Sequence, residues 1–546
     1  MDRGRPAAGR GPAPYVIGVD FGTLSGRAVL ADSRDGTVAA QRALAYPGGV
    51  REPAPGWALQ DPLDYLAVLE GTIPPLLADA GVTGDQVAAI GWDVTACTML
   101  PALLDGTPLC GLSEFRDEPH AGVKLWKHLA AEGQARRIGE ALAAWDPGLL
   151  ADYGGKVASQ WMLPKILQIL EEAPEVYQRA EAFLEVSDWL VLTLTGHLTR
   201  SSCFAGFKNF YCPERGYLPT RFLERLDPRL ADLPEKLPGQ VRSPWQAAGG
   251  LTETWAGRLH LRPGTPVAAG IIDAHAGLPG SGVTEEGHLL MSLGTSACHM
   301  VLSREKRAVP GICGVVRDSV LPGLYAYEAG QACVGDLLDW FVRQSLPAWA
   351  ADAARKQGLN AHTYLSQEAS RLPPGSGGLL ALDWWNGQRS PYVDDRLSGL
   401  MLGMTIQTTP AQQYRALLEA AAYGARLIVE TFASGGVLVR QVTACGGIPR
   451  KNPLMMRIFA DVLNRPVAVA GEEQAAALGS AMLAAAAAGL YPEPAAAVRA
   501  MTRPAETVYH PDRDRAAAYD RLYREYRTLA EYFARENPVM HHLKSW

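Results

Sequence analysis

Two stretches of the chain share one pattern of apolar and polar positions. In YVIGVDFGTLSGRAVLAD, two β-rich runs at residues 15–20 and 27–31 flank a polar turn holding Gly22, Thr23, Ser25 and Gly26. That spacing predicts a hairpin with a glycine-containing loop. In GHLLMSLGTSACHMVLS, residues 287–303, two apolar runs again flank a turn, here Gly294, Thr295 and Ser296. Its return near mid-chain predicts a loose internal duplication, two related domains facing each other. Between the hairpins, helical periodicity at 62–70 and 163–172 alternates with short apolar runs at 87–91 and 266–270. Past the second hairpin the alternation resumes, with helices expected at 412–432, 454–463 and 474–490 and a buried strand at 441–445. Mixed order of this kind argues an α/β fold. The boundary is expected near 280–287, giving domains 15–282 and 283–546. Segment 351–378, polar and turn-rich, reads as a surface excursion of the second domain.

Composition narrows the classes of function. The 546 residues are 48% apolar and 20% charged, which excludes a disordered or fibrous chain and suits two domains or more. Fifty-seven acids against 51 bases leave a net charge of −6, so no overall positive field draws the molecule to nucleic acid or anionic lipid. The expected partner is small. Eight cysteines, at 97, 110, 203, 212, 298, 313, 333 and 445, form no CxxC pair and no zinc-site spacing with histidine. They read as reduced cytoplasmic thiols. Residues 1–14, rich in Arg, Gly and Pro, lack the apolar core of a secretory signal and read as a disordered tail. The uncharged stretch 474–492 is mainly alanine, which packs between helices better than it enters lipid, so no membrane span is expected.

Candidate chemistry gathers at the turns. Asp20 closes the first apolar run beside a loop whose backbone N–H groups and hydroxyls can converge on an anion, an arrangement suited to phosphate with a divalent cation. The bland reading is an Asx-type turn. Gly294, Thr295 and Ser296 repeat the donors without the carboxylate, as expected of a second phosphate loop. In ACGGIPRKNP, Gly446 and Gly447 join a strand to a helix and could admit a flat nucleoside. Neither GxxxxGK[ST] nor GxGxxG occurs. Asp273, just past an apolar run in GIIDAHAGLPGSG, is a candidate general base, with His275 more suited to positioning. Trp126, Lys208, Glu328, and Asn386 with Arg389 stand among aromatic residues, surroundings that suit a sugar.

Taken together, VDFGT, the DAH segment, LGTS, YEAGQ, NGQRSP and ACGGIPRKNP resemble the FGGY carbohydrate kinases, over roughly residues 15–529. Within the family, GWDVTACTMLP, VKLWKH, WMLPKILQIL and LLALDWWNGQRSP look most like the L-ribulokinase branch. The resemblance implies a two-domain actin/hexokinase-like (ribonuclease H-like) fold, with duplicated mixed-sheet domains and a cleft between them. It also implies ATP-dependent phosphorylation of the 5-hydroxyl of L-ribulose, with Mg²⁺. Carried onto this sequence, Asp20 would hold the metal, and Thr23, Arg27, Gly294 and Thr295 would contact phosphates. Gly335, Gly446, Gly447 and Asn452 would line the nucleotide site. Ala96, Trp126, Lys208, Asp273 and Glu328 would meet the sugar, Asp273 as the catalytic aspartate. Trp92 departs from the family pattern beside the sugar segment and bears on sugar preference. The partners implied are ATP and a small sugar, without nucleic acid or membrane and with room for a homodimer. Rival readings are a kinase for another ketopentose or pentitol (D-ribulose, xylulose, ribitol), an actin-like or chaperone-type ATPase, and a catalytically dead homologue. Intact Asp20, Asp273 and phosphate loops argue against the last.

Overall fold

The computed structural model describes residues 15–544; the tail expected at 1–14 lies outside them. The described residues form two compact units, one of residues 15–132, 159–282 and 476–503, the other of 133–158, 283–475 and 504–544. They differ from the expected contiguous domains in two places. Segment 133–158 packs with the second unit, and 476–503 with the first.

The first unit is built on a mixed sheet of β1 (Tyr15–Phe21), β2 (Ser25–Asp32), β3 (Val38–Ala45), β4 (Val87–Val94), β5 (Ala247–Gly250), β6 (Pro266–Ala268) and β7 (Ile271–Ile272). Its order is β5-β6-β4-β1-β2-β3, with β7 also on β4. β1 runs parallel to β4 and antiparallel to β2. The run YVIGVDF is apolar on both faces because β1 is central and covered on both sides. β3 lies at the edge and is largely exposed, with small alanines and the polar Gln41 and Arg42 on it.

The second unit repeats the plan with β8 (His288–Leu293), β9 (Ala297–Ser303), β10 (Gly314–Arg317), β11 (Tyr325–Gln331), β12 (Gln441–Cys445), β13 (Val467–Val469) and β14 (Thr507–Tyr509), ordered β10-β11-β9-β8-β12-β13-β14. β8 pairs antiparallel with β9 and parallel with β12, as β1 does with β2 and β4. The recurring hairpin therefore marks a real duplication of strand order. The main helix of this unit, Pro410–Ser434, starts where Pro410 follows Thr409, whose hydroxyl accepts from Gln412 N–H. Residues 351–378 differ from the expected turn-rich excursion. Most of them belong to two helices, Ala348–Lys356 and Ala361–Ser370, which bury Ala350 and Ala354, and Leu365 and Ala369, at i,i+4 spacing.

The alanine-rich helix Ala475–Ala487 seats on the first sheet through missing side chains. A Cβ on Gly18 would lie 1.8 Å from the Ala477 carbonyl oxygen, and one on Gly91 2.8 Å from that of Ser480. Among the described residues, no helix is long and apolar enough to cross a membrane.

Candidate active site

Strand register assembles the acidic centre of the first unit. Asp20 in β1 pairs with Asp93 in β4, and Ile271 in β7 pairs with the same Asp93, so Asp273 follows directly. Three carboxylates thus stand at the carboxyl ends of neighbouring parallel strands, where α/β sheets present their ligand groups. Asp273 is the first residue of the helix Asp273–Gly280, and its Oδ1 accepts from Ala274 N–H at 2.7 Å. His275 consequently turns inward rather than continuing a strand. Its Nδ1 lies 3.2 Å from Cys203 Sγ and its ring packs edge-on against Phe207, 4.5 Å between centroids. Cys203 and Phe207 belong to the helix Ser202–Lys208, so this contact ties the helix bearing Lys208 to the one bearing Asp273.

Asp93, absent from the expected set, is wholly buried. Its Oδ2 accepts from Ser480 Oγ at 2.7 Å, while Oδ1 has no hydrogen-bond donor. Burial first, then the Asp20 charge, pushes its carboxyl well above the usual carboxylate range. Burial also raises Asp20, opposed by its contact with Asp93 and by Arg27. The close approach of the two carboxyl groups disfavours ionising both. A signal for Asp93 was present: AAIGWD ends an apolar run in an acid, as VIGVD does.

Arg27, expected on phosphate, stands opposite Asp20 across the hairpin with its guanidinium 3.7 Å from the carboxylate. Thr23 Oγ1 accepts from the Trp126 indole N–H at 2.9 Å, and its carbonyl accepts from Gln60 Nε2 at 2.8 Å. Trp126 and the first loop are thus one hydrogen-bonded assembly. Ala96 sits in the turn after β4, which is held against β1 by Thr95 N–H donating to the Phe21 carbonyl at 3.3 Å. Lys208 is buried at the end of its helix, with Nζ 5.6 Å from the Phe207 ring centroid. Trp92 faces away from Asp93 along the strand. It is buried, and donates to Ser187 Oγ at 3.1 Å beneath Gly270.

In the second unit, the parallel pairing of Ser292 with Cys445 places the loops after β8 and β12 at one end of the sheet. Gly446, at φ +99°, passes so close to Leu293 that a Cβ would lie 2.5 Å from its carbonyl oxygen. The helix Gly335–Trp340 begins against the other loop, Gly335 N–H donating to the Gly294 carbonyl at 3.0 Å. Gly294, Thr295 and Gly447 are exposed. Asn452 Oδ1 is engaged in capping the helix Pro453–Leu463, accepting from Met455 N–H at 3.0 Å. Glu328 is buried in β11 and 3.9 Å from Arg389, which fits beside it because residue 330 is glycine. It lies three residues along from Gln331, the partner of Ala297, and so back from the loop end of the sheet.

Among the described residues, no group of three or more His, Cys, Asp or Glu side chains forms a metal cage. The donor set nevertheless fits Mg²⁺, which binds through one or two carboxylates and takes its other oxygens from phosphates and water. A buried carboxylate with one oxygen lacking a donor, beside the partly exposed Asp20, is the kind of site a divalent cation relieves.

Sequence comparison agrees with this geometry. The profile described as "FGGY family of carbohydrate kinases, N-terminal domain" matches residues 15–280, and the C-terminal-domain profile matches 289–488. The chain is 46% identical, over 97% of each sequence, to ribulokinases of Geobacillus thermodenitrificans and Anoxybacillus flavithermus. Among solved structures, xylulose kinase from Rhodospirillum rubrum superposes with a TM-score of 0.79 at 25% identity, covering 96% of this chain and 100% of that one. The duplicated sheets, their phosphate-type loops and these matches lead to one conclusion: the chain belongs to the FGGY family of carbohydrate kinases.

Proposed function

We propose that the protein is a cytoplasmic ribulokinase, transferring the γ-phosphoryl group of ATP to the 5-hydroxyl of L-ribulose. The row Asp20, Asp93, Asp273 at the ends of β1, β4 and β7 carries the reaction class. Similarity to ribulokinases over nearly the whole chain carries the sugar. Eight free thiols support the compartment.

Phosphoryl transfer needs positioning and charge neutralisation more than covalent help. Asp273 accepts the proton of the sugar hydroxyl as its oxygen bonds to phosphorus and the bond to the ADP leaving oxygen breaks. Asp20, with Asp93 behind it, would hold Mg²⁺, which when bound neutralises phosphate charge. Thr23, Gly294 and Thr295 offer donors to phosphate oxygens, and Arg27 supplies positive charge beside Asp20. Gly335, Gly446, Gly447 and Asn452 line the nucleotide site in this reading. Ala96, Trp126, Lys208 and Glu328 orient the sugar.

A coupled assay of ADP release across L- and D-ribulose, L- and D-xylulose, ribitol and glycerol tests the proposal. L-ribulose is expected among the best substrates by kcat/KM. Glycerol or D-xylulose exceeding every ribulose isomer and pentitol by roughly tenfold would overturn the sugar assignment.

A further inference from the structure

The helix Met162–Glu172 is buried along nearly its whole length, and Lys165 lies within it with no solvent exposure. An ammonium there has lost its hydration, a cost that is offset only if its N–H groups find acceptors. Lys165 Nζ donates to the Cys97 carbonyl at 2.5 Å and the Leu125 carbonyl at 2.7 Å, and approaches that of Lys124 at 3.4 Å. The two short bonds reach two separate segments. One is the turn after β4, in which Cys97 takes the left-handed conformation at φ +56°, unfavourable for a residue with a Cβ. The other leads directly into Trp126, whose indole bonds Thr23 in the first loop.

We propose that Lys165 is a positioning residue for the sugar pocket: its ammonium fixes the Ala96–Cys97 turn and the Leu125–Trp126 segment relative to each other. The proposal rests on the reading that Ala96 and Trp126 face the sugar. Chemistry favours a lysine because an ammonium on a long stem has three donors for the three carbonyls, where a primary amide has two and a hydroxyl one. Burial pushes the ammonium down to about 8, which still leaves it mainly charged near neutrality. A helix that merely filled the core would be served better by an apolar side chain, since replacing buried charge with hydrophobic groups is often stabilising.

The test is a double-mutant cycle of Lys165→Met and Trp126→Phe in the full chain, with KM for the sugar, kcat, and ATP affinity without sugar as readouts. Lys165→Met is expected to raise sugar KM on the order of tenfold, with smaller changes in kcat and ATP affinity. Combining it with Trp126→Phe should do little more than the larger single change, because both act on one segment. Effects that multiply, or an unchanged sugar KM with only a lower Tm, would overturn the proposal. If Lys165→Met does not fold, Lys165→Gln replaces it, and failure of both would reduce Lys165 to a fold-holding group and end the assignment. The wild-type substrate survey separates this from the parent reading. Should another sugar prove best, ribulose is rejected and Lys165 is judged with that sugar.

Discussion

A carboxylate that opens a helix straight after a strand, as Asp273 does, has its backbone fixed on both sides. Asp273→Asn keeps that shape but cannot take a proton. Its kcat is expected to fall on the order of 10²-fold or more, with Tm and ATP affinity near wild type. His275→Ala should cost much less, because His275 only joins two helices. A folded Asp273→Asn enzyme within about fivefold of wild-type kcat would remove the general base. If Asp20 holds the metal as proposed, Asp20→Ala should abolish most Mg²⁺-dependent turnover while calorimetry still detects sugar binding. Glu185 offers a separate pH test. Both its carboxylate oxygens are buried without partners, and burial, aided by Asp188, pushes the group up to about 8 from 4.5. Between those values the folded state holds a proton that the unfolded chain has released. The group's stabilising contribution is therefore full below about pH 4.5 and is lost as pH rises through about 8. Glu185→Gln should gain in Tm relative to wild type between about pH 5 and about pH 9, and a constant difference would refute this.

At the level of elements, the hairpins, the long helix and the strand at Gln441–Cys445 were legible because apolar period and turn residues act locally. Asp93 was equally legible in principle, ending an apolar run as Asp20 does; its importance comes from register with β1 and β7, which no local pattern states. Lys165 stood out as a charge inside the apolar run WMLPKILQIL, but its acceptors lie on segments 68 and 40 residues away. Tertiary contact decided those cases. The second unit supplies a test of loop placement. A Cβ at residue 335 would lie 2.7 Å from the Gly294 carbonyl oxygen, so Gly335→Ala must push its helix off the loop after β8. KM for ATP should rise on the order of tenfold while sugar KM changes little. An unchanged ATP KM would detach Gly335 from the nucleotide site.

For the whole molecule, sequence order and spatial membership part company. Length, mixed α/β order and the duplicated hairpin pointed to two related α/β units, but not to the exchange of 133–158 and 476–503, because an alanine-rich helix does not advertise which sheet it covers. The strand glycines at 18 and 91 were the readable half of that match, since glycine inside a strand often marks close backbone approach. The consequence lies in biosynthesis. As the chain leaves the ribosome, the first sheet emerges without the helix that covers Gly18 and without Ser480, the hydroxyl donor to Asp93. That sheet must wait, incomplete, until most of the other unit has been translated. Residues 15–282 expressed alone should accordingly resist cooperative folding, and tethering 476–503 to them through a flexible linker should restore hydrogen-exchange protection in β1 and β4. A stable, protected 15–282 fragment would show that the late helix is dispensable. Otherwise the first unit stays incomplete, with the acidic end of its sheet exposed to chaperones and proteases, until the chain has been made past residue 475.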